Sequence, residues 1–416
     1  MESGMRASDR VDEGRLWQRH VDMAKLGGLP KGGVNRQALS PEDAAARRQL
    51  GAWAAARGFD VYGDPIGNLY VRRAGIQEDA PPVLTGSHMD SQPTGGKYDG
   101  MYGVLAGFEA LEALEDSGIR TKRPIAVVAW VNEEGSRFQP GAMGSAVWGG
   151  DYPLDSMLAV TDRSGKRLGD ALAETLAAAP CRVVSGFDRR FHAYIEAHIE
   201  QGPRLEAEGC AIGVVTGIQG SQRYTVDISG EEAHAGTTPL RVRKDALRSA
   251  ISVVEALQRH MHDPEDVVRF TVGRFECRPG SPNTVPGHVH FTIDFRHPDA
   301  GVLARLGGGI ERVVAASAGP CTATVARITD VAPTVFDPRI VGLVRAKAEA
   351  LGLANMDMPS GAGHDAMHVA PHGPAGMIFV PCERGISHNE AEAARPGDLA
   401  AGARVLADCL TELANE

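Results

Sequence analysis

The 416-residue chain has little of what marks several classes of protein. With 53 acidic residues against 43 basic ones, its net charge of −10 offers no electrostatic attraction for nucleic acid or an anionic membrane. No apolar run approaches the roughly 18 residues that a membrane-spanning helix needs. The N-terminal stretch, MESGMRASDRVDEGRL, lacks the apolar core of a signal peptide. These absences predict a cytoplasmic protein that binds neither nucleic acid nor membrane.

Cysteine is also scarce, and its spacing does not indicate a metal site. The six cysteines are far apart and form no CxxC pair, which argues against a zinc ribbon or a thioredoxin-like site. This usage is typical of reduced thiols in a cytosol. The chain also lacks low-complexity tracts and short repeats. Its 43% hydrophobic and 23% charged residues are ordinary for a globular protein, and its length allows two domains.

The first half of the chain alternates strand patterns with helix patterns, which is typical of a layered α/β core. In SPEDAAARRQLGAWAAARGF, Ser40 is the candidate N-cap, Pro41 occupies the first turn and Gly58 follows the end. The segment DVYGDPIGNLYVRR predicts two short strands around a turn, and GVLAGFEALEALEDSG predicts a helix. The run PIAVVAWVNEEG is apolar almost to its end, which is typical of a strand inside a parallel sheet.

After about Val214 the order of predicted elements changes to β-α-β-β-α-β, the order of a ferredoxin-like unit. Its helices are predicted as PLRVRKDALRSAISVVEALQRHM and GVLARLGGGIERVVAAS. From about Ala332 the chain returns to helix, strand and helix. We therefore predict an α/β fold: a discontinuous mixed-sheet catalytic domain, 1–213 and 330–416, with helices on both faces. The inserted ferredoxin-like α+β domain, 214–329, is predicted to serve as a lid and dimerisation domain.

Histidines and carboxylates gather in four segments at strand ends or loops, where function concentrates in open α/β sheets. The first is GSHMDSQPTGGKYDG. Its His88 and Asp90 are two apart, so in an extended backbone they point the same way. That suits a metal-ligating imidazole beside a carboxylate that orients it, and Asp99 can add a bridging carboxylate. An isolated HxD is more often a surface turn, so this segment alone does not establish a site.

The other three segments are equally ambiguous when each is taken alone. Glu133 and Glu134 end an apolar strand and point in opposite directions, so one can bind metal while the other takes a proton. A solvated strand end is the simpler interpretation of such a pair. His198, in AYIEAHIEQG, fits a structural histidine as well as a ligand. His388, in FVPCERGISHNE, lies in a predicted exposed loop suited to a final ligand.

Taken together, the four segments supply residues for the different roles of a single site. Nitrogen and oxygen ligands without cysteine fit zinc, manganese, cobalt or nickel better than a structural zinc site. Two ions sharing one carboxylate would polarise an amide oxygen and activate a water. The combination therefore predicts a dinuclear hydrolytic centre.

The same segments resemble those of the dinuclear-metal M20 amidohydrolases and peptidases. The resemblance is closer to the hydantoinase/carbamoylase branch, which includes N-carbamoyl-L-amino-acid hydrolases, β-ureidopropionases and allantoate amidohydrolases. It covers nearly the whole chain, since the family's motifs occur here in the family's order: GSHMDSQPTGGKYDG, NEEGSRF, HIEQGP, AHAGTTP, DFRHP, SGAGHDA and GISHN.

The resemblance implies two divalent metal ions per subunit, of Zn, Mn, Co or Ni. Their implied ligands are His88, Asp99, Glu134, His198 and His388. Within this set Asp99 would bridge the ions, and Asp90 would orient His88. Glu133 would be the general base that takes the proton of a metal-bound water and delivers it to the leaving nitrogen. The family also has an unusual cis peptide after the bridging aspartate, which we expect here at Asp99–Gly100.

The resemblance also implies residues that contact the substrate. His234 resembles the histidine that crosses a dimer interface to stabilise the oxyanion in the partner's site, which implies a homodimer through the inserted domain. Asn283 matches a carbonyl-binding asparagine. Arg296 matches the arginine that holds the substrate carboxylate, with a strand-end ion pair as the alternative. Further substrate-contact positions are Gln201, Gly363 and His364.

One histidine pair invites a different interpretation. His364 and His368 are four apart on a predicted helix and could mimic a pair of metal ligands. The resemblance places no ligand there, and we expect Asp365 and His368 to be structural.

These implied roles predict hydrolysis of the ureido C–N bond of an N-carbamoyl amino acid (L-α or β), which releases the amino acid, ammonia and carbon dioxide. The loop PTGGKYDG is similar to that of carbamoylases and β-ureidopropionases. By contrast, SQRYTVDISG is also similar to a strand of allantoate amidohydrolases, so allantoate stays an alternative substrate. An aminoacylase or dipeptidase of the same superfamily is another alternative. A non-catalytic binding protein would have lost Glu133, Glu134 or a histidine ligand, and none is lost.

Overall fold

The computed structural model describes residues 6–416, so the first five residues of the N-terminal stretch considered above lie outside it. The chain forms two compact units. One comprises the residues up to Thr216 together with Phe336–Glu416, and the other is Gly217–Val335. Among the described residues, no helix has the length and apolar character that crossing a membrane requires.

Residues 6–416 form strands in both units. In chain order they are β1 (Asp60–Gly63), β2 (Leu69–Arg73), β3 (Val83–His88), β4 (Ile125–Trp130), β5 (Arg182–Val183), β6 (Ala193–Ile199), β7 (Ile212–Ile218), β8 (Gly220–Ser229), β9 (Ala233–His234), β10 (Arg269–Arg278), β11 (Thr284–Val285), β12 (His288–His297), β13 (Thr322–Val331), β14 (Thr334–Val335), β15 (Asn355–Ser360) and β16 (Ala375–Val380).

The α-helices are α1 (Glu13–Ala24), α2 (Pro41–Ala56), α3 (Met101–Asp116), α4 (Met143–Gly149), α5 (Leu154–Leu158), α6 (Leu168–Ala178), α7 (Arg204–Glu208), α8 (Ala246–His260), α9 (Ala300–Gly307), α10 (Ile310–Ser317), α11 (Pro338–Ala350), α12 (Ala366–Val369) and α13 (Pro396–Leu413). Short 3₁₀ segments occur at Ala7–Arg10, Leu240–Val242, Ala370–His372 and Glu383–Gly385.

The larger unit is built on the predicted mixed sheet, with helices on both faces. Within this unit the strand order is β7-β16-β6-β3-β4-β2-β1-β5, with β15 beside β7. The central strands β16, β6, β3 and β4 are parallel to their neighbours within this set, whereas β7 and β2 flank them in antiparallel pairs. All four central strands are buried at every position, which explains why PIAVVAWV has no polar alternation.

Local signals in the first half of the chain were interpreted correctly. Ser40 caps α2 by accepting a hydrogen bond from the backbone N–H of Asp43 at 3.2 Å, and Pro41 is the first helical residue. Gly58, just beyond the end, has a φ of +73° that favours glycine. The segment DVYGDPIGNLYVRR forms the antiparallel pair β1 and β2.

The second unit has the predicted ferredoxin-like arrangement. Its antiparallel sheet has the order β10-β12-β8-β13, and α8, α9 and α10 pack with the sheet around one apolar core. The core alternates along β8 and β12, so that every second side chain is buried. A separate two-stranded pair joins β9 and β11.

Both helix predictions in this unit need correction. The helix expected from Pro239 begins only at Ala246, because the Asp245 carboxylate accepts the N–H groups of Leu247 and Arg248 and so caps the helix there. The helix expected over residues 301–317 is two helices, α9 and α10, separated at Gly308 and Gly309. Glycine has a low helix propensity, so the consecutive glycines interrupt the helix.

His20 of α1 is a buried titratable group that should make stability depend on pH. Its ring lies 5.3 Å from the ring of Tyr98 and 6.1 Å from that of Tyr102, and neither ring nitrogen has a hydrogen-bond partner within residues 6–416. Burial, helped by the charge of Arg36, lowers the pKa of His20 to about 3. In the unfolded chain His20 binds a proton below about pH 6.5, whereas in the folded protein it stays neutral down to about pH 3. Stability is therefore lost as the pH falls from about 6.5 towards 3.

We therefore expect His20→Leu to lose less stability on acidification than the wild type. Between about pH 7 and about pH 5 the difference in the loss of unfolding free energy should be about 2 kcal/mol. Denaturant unfolding of both proteins at the two pH values measures it. Equal losses would show that the His20 ring is not held neutral.

Candidate metal centre

The four central parallel strands all carry candidate ligands near their carboxyl ends. His88 is the last residue of β3, and His198 is the last but one of β6. Glu133 and Glu134 follow β4, and His388 lies in the loop after β16. Because β16, β6, β3 and β4 are neighbours and parallel, these segments meet at one edge of the sheet.

The carboxylate of Asp99 lies at the centre of this edge. Its Oδ1 is 3.7 Å from His88 Nε2 and 3.3 Å from His198 Nε2. Its Oδ2 is 3.2 Å from His388 Nε2, which is 3.3 Å from Glu134 Oε2. The structure thus brings the five implied ligands together as two groups that share Asp99, each with its ligand atoms within 4.8 Å of one another.

Backbone carbonyls set the orientation of the two buried histidines. His88 Nδ1 donates to the carbonyl of Asp90 at 2.9 Å, and His198 Nδ1 donates to the carbonyl of Ile199 at 2.8 Å. Each ring therefore turns its Nε2 towards Asp99. An imidazole held through one nitrogen with the other aimed at a carboxylate is the arrangement that metal ligands adopt.

Asp90 orients His88 by a different route from the expected one. The backbone carbonyl, rather than the carboxylate, accepts the hydrogen bond from the ring, and Asp90 Oδ1 is 3.8 Å from His88 Nδ1. The carboxylate instead accepts the backbone N–H groups of Glu133 and Glu134, at 3.1 and 3.2 Å. Asp90 therefore anchors the turn after β4 as well as the ring on β3.

Glu133 lies beside the first ligand group. Its Oε2 is 3.4 Å from His88 Nε2, and its side chain is 14% exposed. Burial raises the pKa of Glu133 well above its ordinary value, and the negative charges of Asp365 and Glu134 add to the effect. A carboxylate with a raised pKa can take a proton and release it again, as a general base must.

The remaining carboxylates create an environment that a cation would stabilise. Burial and the charge of Asp99 raise the pKa of Glu134 to about 8, and burial raises that of Asp90 to about 7. Burial would also raise the pKa of Asp99, but its bonds to His198 and His388 outweigh burial and hold it well below the ordinary value. Within residues 6–416, the ion pairs of these carboxylates are with histidines. The donor set fits two divalent ions such as Zn, Mn, Co or Ni.

A third cluster, Glu196 with His198 and His364, also has the spacing of a metal site. However, Glu196 already accepts hydrogen bonds from Ser87 Oγ at 2.6 Å and from the backbone N–H of Ala366 at 2.9 Å. The ring of His364 packs edge-on against that of His198, with centroids 4.5 Å apart. We interpret this cluster as the support of His198.

The predicted helical pair of His364 and His368 does not exist. The helix α12 begins only at Ala366, so His364 precedes it, and His364 Nε2 is hydrogen-bonded to Ser360 Oγ at 2.8 Å. His368 Nδ1 is paired with Asp151 at 2.6 Å. His364 is 2% exposed, the same fraction as the implied ligand His88. Its neighbour Gly363 is exposed.

The expected cis peptide at Asp99–Gly100 is not present. Within residues 6–416, cis bonds occur at Gln139–Pro140 and Arg278–Pro279. Gly100 makes the turn with φ +63° instead, and a Cβ there would lie 2.3 Å from the His88 ring. Glycine therefore allows the loop to pass close to His88 while Asp99 points between the ligand groups.

The other implied substrate residues lie in the second unit. His234 Nδ1 accepts the backbone N–H groups of Gly236 and Thr237, at 3.1 and 3.2 Å. A neutral ring that accepts at Nδ1 carries its proton on Nε2. Asn283 Oδ1 accepts a hydrogen bond from Ser281, and Arg296 Nε donates to Asp294 at 3.0 Å.

Sequence reasoning missed several residues that hold the ligands. The Gln92 backbone N–H and Nε2 donate to the two oxygens of Glu134, at 3.1 and 2.8 Å. Gln201, for which a substrate contact is expected, also donates to Asp99 Oδ2 at 3.0 Å. Ser387 and Glu392 also bond to the Asp99 loop. These residues lie in or beside the recognised motifs, but a lone amide, hydroxyl or carboxylate group produces no spacing signal.

Comparison with known proteins shows the family of the chain. The model of Peptidase family M20/M25/M40 matches residues 84–412. An N-carbamoyl-L-amino-acid amidohydrolase of Rhizobium meliloti is 41% identical over 410 residues, 97% of each chain. Allantoate amidohydrolase of Escherichia coli (strain K12) is 37% identical over 401 residues, 94% of this chain and 96% of its own.

A solved structure matches over the same extent. The crystal structure of an amidase of the hydantoinase/carbamoylase family from Burkholderia multivorans superposes with a TM-score of 0.92 and 46% identity, covering 98% of this chain and 99% of that one. The chain therefore belongs to Peptidase family M20/M25/M40, as an amidohydrolase of the hydantoinase/carbamoylase branch.

Proposed function

We propose that the protein hydrolyses the ureido C–N bond of an N-carbamoyl amino acid and releases the amino acid, ammonia and carbon dioxide. The observation that carries the proposal is the position of Asp99 between two groups of ligands, with the buried carboxylate of Glu133 beside one of them. The carbamoyl substrate is favoured by the similarity, along nearly the whole chain, to a relative named N-carbamoyl-L-amino-acid amidohydrolase.

The chain's own residues supply the proton transfers. Two divalent ions held by the five ligands would polarise the ureido carbonyl and acidify a water molecule. Glu133 takes the proton of the attacking water, and its raised pKa favours holding that proton until the amino nitrogen leaves. Asp90 keeps Glu133 in place through the backbone N–H. His234, with its proton on Nε2, is the donor proposed for the developing oxyanion.

A substrate panel tests the proposal. The metal-free protein is reloaded with Zn, Mn, Co or Ni and assayed on N-carbamoyl-L-amino acids, N-carbamoyl-β-alanine, allantoate and N-acyl amino acids. We expect turnover of the N-carbamoyl compounds. Activity confined to N-acyl amino acids would indicate an aminoacylase. Inactivity on the whole panel, with Glu133→Gln indistinguishable from wild type, would favour a binding protein.

Allantoate is the second candidate substrate. It is favoured by the segment SQRYTVDISG, which forms most of β8, and by the similarity to allantoate amidohydrolase of Escherichia coli. Both substrates carry a ureido group, so the same proton transfers apply. Activity confined to allantoate in the panel would replace the carbamoyl amino acid in the proposal.

Arg296 is proposed to bind the carboxylate of the substrate, because its planar guanidinium can donate two parallel hydrogen bonds. We expect Arg296→Ala to raise the KM for N-carbamoyl amino acids by roughly 10-fold or more while metal content stays unchanged. Steady-state kinetics with metal analysis measure both effects. A variant as active as wild type would show that Arg296 does not bind the substrate carboxylate.

A homodimer through residues 217–335 is also part of the proposal, since the resemblance assigns His234 to a partner's site. Light scattering of the active protein should report twice the mass of one chain. A fully active monomer would contradict this arrangement.

A further inference from the structure

Glu392 is a buried carboxylate with no role in the proton transfers above. It is 2% exposed, and it lies four residues after His388 in the loop that follows β16. Within residues 6–416 it forms no ion pair with lysine or arginine, and its carboxylate is held by hydrogen bonds. A buried charge is costly unless such bonds satisfy it, so these contacts are strongly constrained.

One oxygen of Glu392 holds the loop that carries the shared ligand. Its Oε1 accepts the backbone N–H of Tyr98 at 2.8 Å and that of Asp99 at 3.2 Å. The loop is shaped for this carboxylate, because a Cβ on Gly96 would lie only 1.9 Å from Glu392 Cδ. Gly96 therefore has a steric reason to be glycine.

The other oxygen connects the same carboxylate to the histidine loop. Its Oε2 is 3.0 Å from Ser387 Oγ, and that hydroxyl is also 3.1 Å from Asp99 Oδ2. Ser387 directly precedes His388. Glu392 thus connects the backbone around Asp99 to the loop of His388. Asp99 belongs to both ligand groups, and His388 belongs to one.

We propose that Glu392 is a positioning residue that holds Asp99 and the His388 loop in register, so that the two metal positions depend on it together. The proposal rests on the two-metal centre of the proposed function, but not on the identity of the substrate. Gln92 provides the contrast: its side chain bonds to Glu134, which belongs to only one ligand group.

The test is calorimetric titration of the metal-free protein with Zn²⁺ in the presence of a competing chelator. We expect Glu392→Ala to weaken binding of both ions by roughly 10- to 100-fold, the usual effect of removing a partner that orients ligands. Gln92→Ala should weaken one ion only. Glu392→Gln keeps an oxygen that accepts the two N–H groups and should restore binding close to wild type.

Wild-type affinities in Glu392→Ala, or weaker binding of only one ion in that variant, would overturn the proposal. Affinities in Glu392→Gln as low as those in Glu392→Ala would also overturn it, because they would indicate that the charge of Glu392 matters and its position does not. If Glu392→Ala does not fold, Glu392→Asp replaces it: the shorter side chain withdraws the acceptor, and unchanged affinities would again refute the role. Because metal affinity is measured without substrate, failure here is distinguishable from failure of the substrate panel.

Discussion

Replacement of Glu133 by glutamine is expected to lower kcat by about 100- to 10,000-fold while both metal ions stay bound. Glutamine keeps the size of the side chain but cannot take the proton of the attacking water. Glu133 is not needed to complete either group of ligands around Asp99, so metal content should not fall. Steady-state kinetics and metal analysis of the same preparation measure the two quantities.

The neighbouring residue provides the matched control. Glu134→Gln makes the same chemical change one position along the chain, but Glu134 is part of a ligand group with Asp99 and His388. It should lose affinity for one ion. If Glu133→Gln loses metal as Glu134→Gln does, Glu133 is a ligand, and its assignment as the general base is wrong.

Replacement of Asp99 by asparagine is expected to lower the affinity for both ions and to abolish measurable turnover. The change leaves the side chain nearly isosteric, but it removes the negative charge and turns one of the two acceptor oxygens into an amide donor. Since Oδ1 lies near His88 and His198 and Oδ2 near His388, one group would lose its oxygen ligand and the other would keep only a neutral amide oxygen.

Metal content after removal of free metal distinguishes this outcome. The wild type should retain two ions per chain, Glu134→Gln should approach one, and Asp99→Asn should fall below one. An Asp99→Asn protein that retains two ions would show that Asp99 does not bridge.

Much of the fold was predictable because its signals are local. Ser40 and Pro41 mark the start of α2 within two adjacent residues, and the order of strands and helices in the second unit follows from short hydrophobic patterns. The errors arose where a helix pattern continued through a stronger local signal. Asp245 begins α8 by capping it, and Gly308 with Gly309 interrupts the segment that forms α9 and α10.

The hydrogen bonds that hold the candidate metal ligands in place were not predictable from local sequence patterns. Glu392 bonds to the backbone N–H of Asp99 across 293 positions of sequence, and no periodicity links the two residues. Likewise, β15 lies in NMDMPS, whose polar residues and proline conceal a strand that pairs with β7.

The sequence by itself determined which chemical groups stand at the ends of the strands: three imidazoles and a set of carboxylates in one family's order. The tertiary structure alone decided how they combine. The neighbouring positions of β16, β6, β3 and β4 bring the groups to one edge, and Asp99 divides its two oxygens between them. It also assigned the carboxylate of Asp90 to the turn after β4, because hydrogen-bond partners are chosen by proximity in space.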